Sequence, residues 1–257
     1  MNALLLMLSQ AETAVYAATA IFVRIYAIAF FLPGIAEGSI PHRIKVAGAL
    51  AFAAVAWPML YPTLPPIEGD FLSFAPLLIA EAASGLLIGF SVRAALIALQ
   101  TAGHLIAQHL SLSQLFAQGV APEPEPTIAT VLTLAGIAFA MTLGLHVKAA
   151  ALIVESYGVL PLGVWPVAGD AASWTVERVA SAFNLAVALA LPFIVMSFAY
   201  NLALGFINRA MPQLMVAFVG LPAITGLGLA LLTLTAGAAV TIWHERFDQI
   251  LVAPLGV

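Results

Sequence analysis

The chain has 257 residues, of which 63% are hydrophobic and 8% are charged, against roughly a quarter charged in an ordinary soluble domain. A soluble monomer of this length cannot bury so much apolar surface, so lipid or partner proteins must cover it. The net charge of -4, without any run of Lys or Arg, excludes a nucleic-acid partner and a polybasic lipid patch. Because cysteine is absent, disulfides, thiolate catalysis and cysteine metal sites are excluded as well.

The order of apolar segments predicts an all-α, polytopic membrane protein. A bilayer requires about 20 apolar residues in a helix, and the alternation typical of strands is missing. No basic segment precedes the first apolar run, so we expect a retained helix rather than a cleaved signal peptide. Six helical stretches are predicted, the third of them long and broken: Ala14 to Leu32, Ile44 to Leu60, Phe71 to Gln108, Thr127 to Ser156, Val179 to Asn208, and Gln213 to Trp243.

Proline-rich segments separate these stretches and cannot face lipid tails, because proline lacks an amide donor and the freed carbonyls need partners. They are Pro33 to Pro41, Pro62 to Asp70, Pro122 to Pro126, and the turn from Leu160 to Asp170. The last two helical stretches are longer than a bilayer requires. Tilting, kinks at Pro192 and Pro222, or a position outside the bilayer plane would each reconcile that excess. The positive charges are too evenly spread to fix the orientation.

The third stretch carries a polar face in an otherwise apolar helix. Spacings of seven, four, four and three place five polar residues on that face: Arg93, Gln100, His104, Gln108 and Ser111. The opposite face is built of Ala, Leu, Ile and Val. Two interpretations remain open, a helix lying at the membrane interface and the wall of a water-filled conduit.

Five ionisable residues lie inside apolar stretches, where a charge exposed to lipid is costly: Arg24, Glu81, Arg93, Lys148 and Glu155. They must point inward or reach an interface. A proton relay or ion pathway would use such residues. For each one alone, a structural ion pair or a side chain reaching the interface is the more frequent case.

Signals for enzyme chemistry are missing from the sequence. His104 and His109 are five residues apart and about 140° apart around a helix, which does not suit a shared metal ion. No phosphate loop, nucleophile elbow or catalytic triad spacing occurs. We therefore predict a protein that is not an enzyme and uses no cofactor. Gly85-x-x-x-Gly89 and Gly34-x-x-x-Gly38 have the spacing of close helix contacts, either within one chain or between chains.

A polar break interrupts the last apolar run and predicts a hairpin between two long helices. Pro212 disfavours helical geometry at the residue before it, and Arg209 can cap the carbonyls of the preceding helix end. The candidate assembly residues of this hairpin are Asn201, Asn208, Arg209, Pro212 and Gln213.

This break, with the Leu214 to Pro222 segment that follows, resembles the signature of the FliR/SctT family of type III export-gate membrane proteins. Further matches follow in the family's order over nearly the whole chain: Arg24, Pro33-Gly34, Ile40 to Lys45, Gly85 and Gly89, Gly144 to His146, and Ser156 to Gly163. Their order and spacing together make the resemblance specific. The chain resembles the flagellar branch, because the virulence branch commonly has an acidic residue where Asn201 stands. A virulence export subunit is the alternative.

The resemblance implies one export-gate domain over residues 1–257, with a FliP-like part in about residues 1–170 and a FliQ-like helical hairpin in about residues 171–257. It implies a single copy that assembles with FliP and FliQ homologues, and with FlhB and FlhA homologues as further partners. The implied location is the bacterial inner membrane at the flagellar basal body, raised toward the periplasm, with helices facing partners, lumen or membrane lipid.

The function implied by the resemblance is a core channel subunit of the flagellar export apparatus, through which unfolded flagellar proteins pass. A secondary transporter or proton channel that uses Glu81, Arg93, His104 and Lys148 is the rival, since broken helices occur in transporters too.

A channel plug is also implied, at the place where the family has a loop projecting into the lumen. Its residues would be Ser113, Gln114, Leu115, Phe116, Ala117, Gln118 and Gly119. This segment follows the polar face directly, and Gly119 permits backbone geometry that a helix interior would not. Leu115 and Phe116 could form a dry constriction that blocks ions. An ordinary helix end is the alternative.

Overall fold

The helical architecture is seen in a computed structural model that describes residues 2–64, 71–110, 127–211 and 216–253. Within those ranges the backbone is helical apart from turns and contains no strand, which confirms the all-α class. A single 3-10 turn, Tyr61–Thr63, follows the second helix. The α-helices are α1 (Asn2–Ala29), α2 (His42–Leu60), α3 (Phe71–His109), α4 (Thr127–Thr142), α5 (Leu145–Val159), α6 (Ala168–Ala210) and α7 (Val216–Val252).

The described helices are suited to crossing a membrane several times. Five of them are long and apolar enough to span a bilayer, and the bent pair of α4 and α5 would add a sixth span. The prediction of a polytopic membrane protein is therefore confirmed.

The prediction of a single helix from Thr127 to Ser156 is wrong. Residues 127–159 form two helices, α4 and α5, with a turn between them. Gly144 lies in this turn with φ of 83°, a backbone conformation that glycine adopts at little cost and that strains other residues. The signal was present in the sequence as a glycine inside an apolar run, at the position where the family resemblance places a turn.

Other helix bounds also differ from the prediction. The described part of α3 is one continuous helix from Phe71 to His109, with Pro76 near its start, and is not broken. The helices α1 and α6 begin earlier than predicted, and α7 ends later, because polar residues do not end a helix whose opposite face is apolar. Asp170 lies in the first turn of α6, where the helix dipole favours a negative charge. Pro192 and Pro222 lie inside α6 and α7.

The chain divides into two compact units, each discontinuous in sequence. The first comprises Met1–Ala94, Met141–Arg178 and Phe247–Val257, and the second comprises Ala95–Ala140 and Val179–Arg246. The predicted division near residue 170 separates a FliP-like part from a FliQ-like hairpin by their resemblance to other subunits. The two compact units are instead defined by contacts within the chain. The division near residue 170 stays a prediction.

In the first unit, α1 packs against α2 and α2 packs against α5. The buried side of α1 includes Ile21, Ile25 and Ile28. A Cβ atom at Gly85 of α3 would lie 2.5 Å from the carbonyl oxygen of Arg24, so the absence of a side chain lets α1 and α3 approach. In the described structure, Gly85-x-x-x-Gly89 therefore serves a contact within the chain.

The second predicted glycine pair does not form a helix contact. Gly34 lies in the turn after α1 with φ of 84°. No atom lies within 4 Å of a Cβ built at Gly38. The prediction of helix packing through this pair is wrong, because its spacing occurs in a turn rather than on a helix.

The second unit packs the later part of α3 against α4 and α7. Trp243 of α7 is fully buried, and its Nε1 donates a hydrogen bond to the carbonyl oxygen of Ala95 at 2.7 Å. A Cβ atom at Gly103 would lie 2.4 Å from Ala129 Cα, so α3 and α4 are in close backbone contact. These contacts fix which side of α3 is covered.

Candidate functional site

The most buried charges of the first unit form an ion pair between α1 and α3. Arg24 and Glu81 are both fully buried. Arg24 Nε lies 2.8 Å from Glu81 Oε2, and Arg24 Nη2 donates to Glu81 Oε1 at 2.9 Å. The guanidinium therefore meets the carboxylate through one hydrogen bond from Nη2 and one close ionic contact from Nε.

The remaining surface of the Arg24 guanidinium is occupied by α5 and the turn after it. Nη1 donates a hydrogen bond to the Leu160 carbonyl oxygen at 2.7 Å and a longer one to that of Ser156 at 3.4 Å. The guanidinium carbon lies 3.8 Å from the centroid of the Tyr157 ring, a cation–π distance. One arginine therefore holds the end of α5 against α1.

The Glu81 carboxylate is satisfied in the same region. Its Oε1 accepts a hydrogen bond from the backbone N–H of Gly163 at 2.8 Å, and its Oε2 accepts one from the Tyr157 hydroxyl at 3.3 Å. Gly163 has φ of 73°, which glycine adopts readily. Because the two charges face each other and also contact α5 and the turn after it, the desolvation cost of burying them is offset in part, and the network is a structural joint.

Several residues that carried the family resemblance meet in this joint. Ser156 and Gly163 are distant from Arg24 in the sequence, yet both contact the ion pair that Arg24 forms, and Gly85 lies against Arg24. The sequence marks Glu81 only as an ionisable residue in an apolar stretch. Its central position could not be read from the sequence, because no local pattern connects it to Arg24.

Two further ionisable residues of apolar stretches are paired in the first unit. Arg93 Nη1 lies 3.0 Å from Glu37 Oε1, and both side chains are partly exposed. Lys148 of α5 pairs with Asp248 near the end of α7. Glu155 is exposed. Structural pairing therefore accounts for Arg24, Glu81, Arg93 and Lys148.

The predicted polar face of α3 is the more open side of that helix in the second unit. Gln100 and His104 are half-buried and Gln108 is exposed, whereas Ala102 and Ile106 are buried. His104 Nδ1–H donates to the carbonyl oxygen of Gln100 at 2.8 Å, so this ring nitrogen is occupied within the helix.

Two members of the predicted face stand apart from these three. Arg93 belongs to the first unit and is engaged by Glu37. Ser111 lies outside the described residues, as does the whole predicted plug from Ser113 to Gly119. The lumen-facing role and the plug both stay predictions.

The end of α3 is anchored by contacts that no sequence pattern predicted. Thr225 of α7 donates a hydrogen bond to the carbonyl oxygen of Leu110 at 3.1 Å. The Leu110 side chain fills the space over Gly228, where an added Cβ would lie 1.8 Å from Leu110 Cδ2. His109 Nδ1 lies 3.3 Å from the Ser197 hydroxyl of α6. The sequence indicated these contacts only through small or polar residues in apolar helices, which do not show which helices meet.

The three candidate hairpin residues that the structure describes are exposed. Asn201 Nδ2 donates to the Ser197 hydroxyl at 3.4 Å, while Asn208 and Arg209 are exposed in the last turns of α6. Pro212 and Gln213 lie outside the described residues. Their proposed role in assembly stays a prediction.

These features define an all-helical, polytopic membrane protein whose internal charges are paired in a structural joint. The chain belongs to the family of bacterial export proteins, family 1, whose model matches residues 15–250. The predicted membership in a bacterial export family is thereby confirmed.

Curated relatives align with almost the entire chain. A flagellar biosynthetic protein FliR of Caulobacter vibrioides is 36% identical over 240 residues, which is 92% of this chain and 95% of that protein. The protein of the same name from Escherichia coli K12 is 30% identical over 88% of this chain and 87% of its own length. A FliR of Aquifex aeolicus is 29% identical over 89% of this chain and 88% of its own length.

Proposed function

We propose that the chain is a core channel subunit of the flagellar type III export apparatus, located in the bacterial inner membrane at the flagellar basal body. It assembles with FliP and FliQ homologues, contacts FlhB and FlhA homologues, and passes unfolded flagellar proteins without acting as an enzyme. The flagellar names of its relatives support this function over virulence secretion.

The observation that carries the proposal is the length and openness of the last two helices. At about 1.5 Å per residue, the 43 residues of α6 and the 37 of α7 are each far longer than a hydrocarbon core of about 30 Å. In the most apolar 18 residues of each helix, 22% of the residues are buried in α6 and 17% in α7, compared with 61% in α3. Apolar surface extends beyond the membrane, so other protein helices must cover it.

The division into a FliP-like part and a FliQ-like hairpin is part of this proposal. The helix α6 begins at Ala168, close to the proposed boundary at about residue 170. The two longest uncovered helices then both belong to the hairpin. This arrangement is what a segment specialised for lateral contacts with other subunits requires.

A lumen wall and a plug complete the proposed channel. Gln100, His104 and Gln108 occupy the open side of α3 while its other side is packed, which suits a surface wetted by a conduit. The segment Ser113 to Gly119 follows directly in sequence and is proposed to close the channel at rest. Its root at Leu110 is held by Thr225 and Gly228.

The rival function, a solitary transporter or proton channel, is less well supported. Such a mechanism needs charged groups that are free to exchange ions or protons. Glu81 is occupied by Arg24, and Arg93 and Lys148 are both ion-paired. The charges that would form the pathway serve instead to join helices.

The test is expression of the tagged chain with and without FliP and FliQ homologues from the same genome. A monodisperse complex is expected only on co-expression, because the uncovered helices aggregate when alone. Phe198, which is 69% exposed on α6, provides the paired variants. Phe198→Gln should reduce recovery of the partners, and Phe198→Leu, which keeps the apolar surface, should not. A folded monomer unchanged by co-expression, or solute uptake by the chain alone in liposomes, would overturn the proposal.

A further inference from the structure

A cavity of about 350 Å³ opens in the first unit where α2 and α5 end. Its volume lies at the lower end of the range for small-molecule sites, roughly 300–1,000 Å³. The lining is largely aliphatic: Met59, Leu60, Thr63, Leu64, Val154, Tyr157, Gly158, Pro161 and Leu162.

The polar side chains of the lining are already engaged within the chain. The Thr63 hydroxyl donates to the carbonyl oxygen of Leu60 at 2.8 Å, and the Tyr157 hydroxyl donates to Glu81. Among the described residues, none of those that line the cavity is charged. The cavity therefore suits an apolar ligand, because a polar ligand would lose its hydrogen bonds to water on entry.

The rim of the cavity continues into the apolar outer surface of α2. Met59, which lines the cavity, is 59% exposed, and Val55 one turn earlier is 61% exposed. Of the most apolar 18 residues in the candidate span His42–Thr63, only 17% are buried within the chain. A helix that is apolar and uncovered over the length of a span offers this surface to the hydrocarbon of the bilayer.

The cavity lies at the end of that span, beside a pair of stacked aromatic rings. Trp57 and Tyr61 have ring centroids 4.5 Å apart and nearly parallel planes. Trp and Tyr are enriched at the membrane interface, where their apolar rings meet lipid and their polar atoms meet water. A stacked pair of this kind at the end of an apolar span is the pattern expected at a membrane interface.

We propose that this cavity binds part of an acyl chain of a membrane phospholipid. The chain enters beside Met59 and lies against the Tyr157 ring, whose other contacts belong to the Arg24 joint. This site is independent of the channel role and of the partners that cover α6 and α7.

The experiment uses the assembled complex in lipid nanodiscs that contain a phospholipid with a photoreactive diazirine on one acyl chain. After irradiation, mass spectrometry locates the labelled residues. Label is expected on Val154 and Leu162, which line the cavity, as well as on Val55 of the outer surface. Label on Val55 without label on the lining would show that lipid touches α2 but does not enter, and would overturn the proposal.

Gly158 provides a variant that fills the cavity. A Cβ built there meets no atom within 4 Å, so Gly158→Leu places its side chain in the open space without moving the backbone. Label on Val154 and Leu162 should fall to background while label on Val55 persists. Gly169→Leu is the matched control, since Gly169 is an exposed helical glycine with equally open surroundings outside the cavity. Retention of the lining label in Gly158→Leu contradicts the proposal.

A second measurement separates lipid from protein as the occupant. A photoreactive amino acid replacing Leu162 should yield lipid adducts. Adducts with another subunit, or with another segment of this chain, would mean that a protein side chain fills the cavity, and the lipid proposal would be wrong. Recovery of FliP and FliQ homologues is measured on the same samples, so a failed lipid site is distinguished from a failed channel assignment.

Discussion

Removing the Glu81 charge is the sharpest test of the buried joint. Glu81→Gln keeps an oxygen that can accept the Gly163 N–H but leaves the Arg24 guanidinium buried without a counter-charge. Breaking a buried pair by removing one partner typically costs about 3–5 kcal/mol. That loss is a large fraction of the roughly 5–15 kcal/mol by which folded proteins are stable.

The double variant Arg24→Met with Glu81→Gln measures the coupling free energy between the two charges, by comparison with the two single variants. It removes both charges, so we expect it to cost less than the sum of the two single variants by about 0.5–3 kcal/mol. The measurement is resistance of the assembled complex to heat or denaturant, followed by size-exclusion chromatography. The half-exposed pair of Lys148 and Asp248 is the control. Lys148→Met should cost only about 0–1 kcal/mol, as at other exposed pairs.

Strict additivity of the two single variants would contradict a stabilising pair between Arg24 and Glu81. Additivity would mean that Arg24 and Glu81 stabilise the unit separately, Arg24 through the Leu160 carbonyl and Glu81 through Gly163. An equal loss of stability in Lys148→Met would also be contrary evidence, because burial would then not distinguish the Arg24 pair from an exposed one.

Three other outcomes are expected. Gly85→Ala should destabilise the protein by about 1–3 kcal/mol through overpacking, whereas Gly237→Ala, with no atom within 4 Å of the new Cβ, should be neutral or stabilising; equal heat resistance would contradict the close helix contact. Trp243→Phe should cost about 0.5–1.5 kcal/mol through the lost hydrogen bond to the Ala95 carbonyl, with a further loss from the space that the smaller ring leaves, and an unchanged unfolding midpoint would contradict it. Deletion of residues 113–119 from the assembled complex should raise small-molecule leak across the inner membrane; a complex as tight as wild type would show that the segment is not an essential seal.

Much of the fold follows from local sequence patterns. Apolar run length predicted the helices, and glycines at Gly34, Gly144 and Gly163 adopt positive φ in turns that the family resemblance marked. Helix ends were predicted less well. The limits of apolar runs gave helices that were too short, since α1 and α6 extend through polar residues that a helix tolerates on its open side.

The joint itself could not be predicted from the sequence. Arg24 and Glu81 both stand out as costly charges, but their pairing depends on how α1 and α3 pack, and 57 residues separate them. The burial of Trp243 was even less predictable from the sequence. A tryptophan near a helix end is typical of a membrane interface, whereas in this protein it is fully buried against Ala95. Tertiary packing decided between these environments.

The joint also sets an order of events during biosynthesis. Arg24 enters the membrane system with the first helix, while Leu160, which accepts its shortest hydrogen bond, is 136 residues later. At roughly 5–20 residues per second, the ribosome needs roughly 7–27 s to cover that distance. During this interval the arginine is a charge in an apolar helix without its final partners, at a cost of about 2.5–3.5 kcal/mol on insertion scales. A nascent chain that stalls before Leu160 thus keeps an unpaired arginine inside the bilayer. Membrane proteases and insertases can act on that charge before any subunit is recruited.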